Sequence, residues 1–221
     1  MSRILLEVAV ESFDGALAAA GAGADRLELC SHLDVGGLTP PLELFDRIRA
    51  AIPIPIVVMI RPRAGDFVYS AAELNRMAEQ IQSFGECQTN GLVFGVLTAS
   101  GAIDSGACAN LIGQCGRMPA VFHRAWDERP RTLAELEMLI ELGFTRLLTS
   151  GGASGALAGM TTIREWIAAA AGRIEILPGA GIDPGNVGEI VLQTGCTQVH
   201  GTFKNTQREI RAVLDQRGGG V

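Results

Sequence analysis

Arg61 and Arg63 follow directly on the apolar run Pro55–Ile60, with Pro62 between them. Guanidinium groups where a buried segment ends offer fork-shaped, charge-assisted recognition of carboxylate or phosphate. Two acids stand in short apolar stretches elsewhere, Glu7 in Ile4–Ala9 and Glu28 in Asp25–Leu29. Brought close together, such a pair would raise one pKa and create a proton donor; Arg61 beside them would instead keep both ionised. His123 ends the run after Ala120–Phe122, and His200 the run after Thr197–Val199. An imidazole can both give and take a proton near neutral pH. His32 reads as a solvated loop residue. Two glycine-rich stretches, Thr149–Ser154 and Pro178–Gly181, could bring the N–H groups of Ser150, Gly151, Gly152, Gly179 and Gly181 to an oxyanion. The chemistry described is capture of a small anion with proton transfer beside it. A plainer reading stands next to it: ion pairs, a satisfied histidine, and glycines that only permit tight turns.

The elements that must position these residues alternate from end to end. Strand-like runs are Ile4–Ala9, Asp25–Leu29, Pro55–Ile60, Gly91–Phe94, Ala120–Phe122, Thr145–Leu148, Arg173–Leu177 and Thr197–Val199. Each precedes a helical pattern, as a closed parallel (β/α)8 TIM barrel requires. Ser70 with Glu73, Thr132 with Glu135, and Thr162 with Glu165 read as capping boxes. Asp183 before Pro184 reads as a capping carboxylate ahead of the first helical residue. Gly23, Gly143 and Gly195 recur at one spacing before a strand, each predicted to end a helix in the left-handed conformation.

Side chains alternate along a strand, so parity sorts them. Leu5, Glu7 and Ala9 share a face, as do Glu28 and Cys30; Val57, Met59 and Arg61; Val121 and His123; Gln198 and His200. Each set gains polarity toward its carboxyl end. The expectation is an inner face that is dry at the base, with Glu7, Glu28, Arg61, His123 and His200 lining the mouth, where ligands bind in this architecture.

Composition bounds the role. The chain has 221 residues, 48% of them hydrophobic and 19% charged. That suits one domain, residues 1–221, with both sheet faces buried. No apolar run reaches the roughly 18–20 residues of a membrane span. Glu7 comes too early for a signal peptide, so a cytoplasmic location is expected. The net charge of −6 without a basic run argues against nucleic acid as a partner. Five cysteines without a C-x-x-C pair read as free thiols in a reducing compartment.

Several segments, in order along about the first 200 residues, together resemble the CutC family. They are Leu6-Glu-Val8, Gly23-Ala-Asp-Arg-Leu-Glu-Leu-Cys30, Gly36-Gly-Leu-Thr-Pro40, and Val58-Met-Ile-Arg-Pro-Arg-Ala-Gly-Asp-Phe67 with Tyr69-Ser70. Further along come Val93-Phe-Gly-Val-Leu-Thr98, Phe122-His-Arg-Ala125 with Asp127, Leu148-Thr-Ser-Gly-Gly152 and Pro178-Gly-Ala-Gly-Ile182. The resemblance implies a (β/α)8 barrel, a cytoplasmic setting, a homo-oligomer, and copper homeostasis with copper-ion binding. Within these segments Arg63, Asp66 and Arg124 join the candidate ligand-binding set. Two departures stand out. Ala9 occupies a place where relatives often carry cysteine, and the segment His200–Thr206 leads almost at once to a last helix at Gln207–Gln216, where relatives usually have a long insertion.

Cu(I) prefers thiolate and thioether ligands. Cys30 and Met59, on neighbouring runs with the same parity, are the candidate metal pair, with His123 or His200 able to complete a site. Against this, a lone strand-end cysteine is usually a small buried hydrophobe. Two functions therefore stand open: copper homeostasis by resemblance, and an enzyme acting on a small anionic metabolite at the barrel mouth.

Overall fold

A computed structural model describes residues 3–87, 89–202 and 206–218. The first half runs β1 (Leu5–Val10), α1 (Phe13–Gly21), β2 (Arg26–Leu29), α2 (Leu42–Ala51), β3 (Ile56–Met59), α3 (Ala71–Glu86), β4 (Leu92–Phe94) and α4 (Ser105–Cys115). The second runs β5 (Ala120–Phe122), α5 (Leu133–Leu142), β6 (Arg146–Thr149), α6 (Met160–Ala170), β7 (Glu175–Pro178), α7 (Val187–Thr194), β8 (Gln198–Thr202) and α8 (Gln207–Gly218). Short 3-10 turns at Leu33–Val35 and Arg124–Glu128 follow β2 and β5. The strands pair in parallel in the order β7-β6-β5-β4-β3-β2-β1-β8, and β7 packs beside β8 to bring the ends of that order together. This is the TIM-barrel architecture expected from the alternation.

Two apolar bodies hold it. The larger lies between strands and helices and includes the fully enclosed Phe45, Phe94, Phe122, Trp126 and Phe144. The smaller fills the barrel itself with Cys30, Val57, Met59, Val93, Val121, Leu148 and Leu177. The faces sorted by parity do point inward. The gradient along them differs from expectation, because the base is not dry. Arg26, Arg146, Glu175 and Gln198 form a hydrogen-bonded group there. Polarity varies across the barrel: Val57, Met59, Val93 and Val121 on β3, β4 and β5 are apolar, while Arg146, Glu175, Gln198, Glu7 and Arg26 on β6, β7, β8, β1 and β2 form the polar side, with Leu148 and Leu177 above Arg146 and Glu175.

Helix starts follow local chemistry. Ser70 with Glu73 and Thr132 with Glu135 form complete capping boxes. Thr162 with Glu165 does not; α6 begins earlier, capped by Gly159. Gly159 is pressed against the β6 loop, where an added Cβ would stand 1.9 Å from the Ser150 carbonyl oxygen. That contact, rather than the threonine, sets where the helix starts. Asp183 caps one turn upstream of α7: its Oδ1 accepts from Gly185 and Asn186 N–H at 2.7 and 3.0 Å. Gly23, Gly143 and Gly195 have φ of 93°, 95° and 72°, the left-handed values their repeat requires. The shortened crossover after β8 includes residues 203–205, outside the described residues; α8 begins at Gln207.

Gly159→Ala should lower stability by about 2 kcal/mol or more, since backbone must move to admit the methyl group. Gly21→Ala, with open space around it at the end of α1, should be neutral or stabilising by about 0.5–1 kcal/mol. Urea unfolding of the two variants checks the contrast; equal effects would contradict it.

Candidate functional site

Glu7 lies between two partners because the register places it there. Its Cα is paired with Arg26 on β2 and with His200 on β8. Arg26 Nε donates to Glu7 Oε2, and His200 Nδ1 shares a 2.8 Å hydrogen bond with Glu7 Oε1. Arg26 also donates to Gln198 Oε1 at 2.7 Å, and Gln198 Nε2 to Glu175 Oε2 at 2.8 Å. Arg146 Nε reaches the same Glu175 oxygen at 3.1 Å. At the other end His200 Nε2 stands 3.7 Å from Glu28 Oε2, which accepts from the Cys30 thiol at 3.6 Å. One polar chain thus threads the barrel from its base to its mouth. Sequence reading missed Arg26, Arg146, Glu175 and Gln198 as partners. The signal was present in the parity of Arg26 with Glu28.

Burial pushes the Glu7 carboxyl up, but Arg26 and His200 overcome it and hold it at about 2. Burial raises Glu28 against the pull of His200. Burial would lower His200, and Glu28 and Glu7 reverse that, raising it. Glu28 and His200, 3.7 Å apart, are thus each drawn toward holding a proton. When the two share one proton, Glu7 and Glu175 match Arg26 and Arg146 in charge.

Above it opens a cavity of about 450 Å³. Glu28, Met59, Arg61, His123, Arg124 and His200 are in its wall, so the structure brings six of the sequence candidates to one hollow. Arg61 does not pair with Glu7 or Glu28 as expected. Its Nη1 donates to the Val35 and Gly37 carbonyls at 2.9 and 3.3 Å, and its Nη2 to Gly65 at 2.8 Å. It thereby fastens the loops after β2 and β3 around the mouth. Its guanidinium lies 4.7 Å from the Phe67 ring centre, and that ring also packs on His123 at 4.7 Å. Among the described residues no carboxylate neutralises Arg61.

His123 is fixed as a donor. Its Nδ1 accepts the Ala125 N–H at 3.3 Å, so the proton sits on Nε2. Burial, then the Arg61 charge, hold its pKa down at about 3. Among the described residues Nε2 has no partner, and neither has Glu28 Oε1; both are buried.

Other candidates lie apart. Arg63 pairs with Asp66 at 2.8 Å and Glu73 at 2.6 Å, outside the cavity. The Ser150–Gly152 turn is already engaged: Asp127 accepts from the Thr149 hydroxyl and from Ser150 and Gly152 N–H at 2.6, 2.8 and 3.1 Å. Gly151 N–H goes to Thr149 Oγ1, and the Ser150 hydroxyl to the Ala153 carbonyl. Gly179 permits close packing, since a Cβ there would meet Leu148 at 2.6 Å. Gly181 adopts φ of 72°. Cys30 is fully buried and outside the cavity wall.

The model of the CutC family matches residues 4–205. The chain belongs to the CutC family. A human relative named copper homeostasis protein cutC homolog is 43% identical over 203 residues, covering 92% of this chain and 74% of that one. A CutC family protein of Sinorhizobium medicae is 42% identical over 207 residues, covering 94% and 84%. A solved CutC structure from Streptococcus agalactiae superposes with a TM-score of 0.85 at 34% identity, covering 91% and 99%. The CutC barrel of this chain therefore has its mouth where that fold places ligand sites.

The site makes one prediction for stability. Between the ordinary histidine value of 6.5 and about 3, the unfolded chain binds a proton that folded His123 refuses. Stability contributed by this group thus falls as pH drops through that window. His123→Phe removes the effect. Relative to the variant, wild type should lose about 1.4 kcal/mol per pH unit on going from about pH 6 to about pH 4. Parallel urea-midpoint profiles would contradict the assignment.

Proposed function

We propose that this CutC-family chain serves in copper homeostasis, the role for which relatives are named, through a barrel-mouth site that binds a small anionic compound. The observation that carries this reading is a set of buried atoms without a partner among the described residues, Glu28 Oε1, Arg61 Nε and His123 Nε2, on residues in the wall of one cavity. A buried polar group without a partner costs about 1–3 kcal/mol. Such groups in one hollow are accounted for by a ligand that satisfies them. Charge gives the sign of that ligand. Arg61 and Arg124 share the wall with Glu28, Asp127 and Glu128; Arg124 pairs with Asp127, whereas Arg61 has no ion-pair partner among the described residues, which favours an anionic group on its side of the mouth. The volume lies within the roughly 300–1,000 Å³ of small-molecule sites. Arg124 on the rim meets Asp127 through Nε at 3.1 Å and is placed to close on a ligand.

Copper as cargo requires suitable donors. Cys30 Sγ and Met59 Cε do converge, at 3.1 and 3.6 Å from where a Cβ on Gly37 would stand. Yet the Cys30 thiol is enclosed and donates to Glu28. Burial and that carboxylate push its pKa well above the usual range, so the thiolate that Cu(I) prefers is disfavoured. The pair does not fit Cu(I).

A cytoplasmic, self-associating protein belongs to the same proposal. Free Cys30, Cys87, Cys108, Cys115 and Cys196 suit a reducing compartment. Among the described residues no helix is long and apolar enough to cross a membrane. Leu192 on α7, 64% exposed, is the kind of surface that association covers.

Thermal unfolding in the presence of sugar phosphates and small organic acids tests the anion site. A true ligand at about one hundred times its Kd should add about 2–3 kcal/mol. His123→Phe keeps the ring packed on Phe67 and removes the donor, so its affinity should fall about tenfold, as expected for a lost hydrogen bond. A variant that responds as fully as wild type would contradict the reading. In Cu(I) titrations against a competing chelator, wild type and Cys30→Ser should bind equally; a loss of about tenfold in the variant would restore the thiol site.

A further inference from the structure

Resting on that anion-binding reading, we infer that the mouth is a proton-transfer site. Glu28 removes a proton from a carbon beside a carbonyl of the bound anion, and His123 Nε2–H holds the oxygen on which charge develops. The substrate class is a small anionic α-hydroxy carbonyl compound, and the reaction is its isomerisation.

Two of the unmatched atoms are complementary in kind. Among the described residues Glu28 Oε1 is an acceptor without a donor, and His123 Nε2 a donor without an acceptor. They belong to β2 and to the end of β5, with β3 and β4 between them, so a molecule in the cavity lies between the two. His123 is a neutral donor locked by Ala125. A pre-set donor of this kind stabilises a developing oxyanion without reorganising. Phe67 packs across both Arg61 and His123 and keeps water from that side.

His200 completes the set. Glu7 fixes its Nδ1 at 2.8 Å, which leaves Nε2 toward Glu28 and the cavity. The steps then balance. The C–H bond breaks and its proton goes to the Glu28 carboxylate. The electron pair forms the carbon–carbon double bond of an enediolate, and the carbonyl π pair moves to oxygen. His200 gives a proton to that oxygen and recovers one from the neighbouring hydroxyl. Glu28 returns its proton to the former carbonyl carbon, which completes the isomerisation. No oxidant, reductant or co-reactant is consumed. Covalent routes have less support, since among the described residues the wall carries no lysine, serine or cysteine.

The test is deuterium exchange followed by proton NMR in D2O. The probes are triose, tetrose and pentose phosphates and four- to six-carbon hydroxy-2-oxo acids, which separates phosphate from carboxylate as the anion. At least one probe that raises the unfolding temperature should lose the signal of its carbon-bound α-proton when wild type is present. Glu28→Gln should slow that exchange at least a hundredfold while keeping the thermal shift, because the amide preserves shape and removes the base. A bound probe whose exchange is no faster than in buffer overturns the inference and leaves the anion site standing. So does a Glu28→Gln variant that exchanges as fast as wild type. If no probe binds at all, the anion reading fails first and this inference with it.

Discussion

The carboxylate of Glu7, held between a guanidinium and an imidazole inside the barrel, is the contact on which the rest depends. Taking three charged groups out of water is expensive, and a well-packed apolar set of similar volume would often be as stable or more so. The arrangement is sustained because every partner has another: Arg26 leans on Gln198, Gln198 on Glu175, Glu175 on Arg146. Without this chain His200 would have no fixed orientation, and Glu28 would be a lone buried acid.

From that contact the properties of the mouth follow. The interior reaches neutrality by itself when Glu28 and His200 share a proton. Arg61 is left as an uncompensated cation, 5% exposed, whose donors grip the loop carbonyls. Its field and the dry surroundings keep His123 neutral. One histidine is thus a permanent donor and the other a proton carrier, on the same cavity, because one faces a guanidinium and the other two carboxylates. Different environments drive like residues to different tasks, as acid–base sites require.

Much of this frame was legible in the residues. Strand positions emerged within one or two residues, except that β8 runs three residues beyond Val199 to Thr202, since short β-branched and apolar runs between glycine and proline leave few alternatives. Parity on those strands brought Glu28, Met59, Arg61, His123 and His200 to one hollow. What escaped depends on partners distant in sequence. Nothing near Glu7 says that Arg26, rather than Arg61, will neutralise it; the register of β1 against β2 decides that. The glycines at Gly151 and Gly152 read as an oxyanion cradle, but Asp127, more than twenty residues upstream, already occupies the donors around them. Thr162 looked like a cap, and the close approach of Gly159 to Ser150 moved the helix start.

Nitrogen-15 NMR of the ring nitrogens at neutral pH tests the charge arrangement most directly, and with three histidines in the chain assignment by single substitution is simple. The account requires His200 to be protonated on both nitrogens and His123 to be neutral with its proton on Nε2. A neutral His200 beside a cationic His123 would contradict it, because His200 would then have no proton to give and the mouth would have no fixed neutral donor.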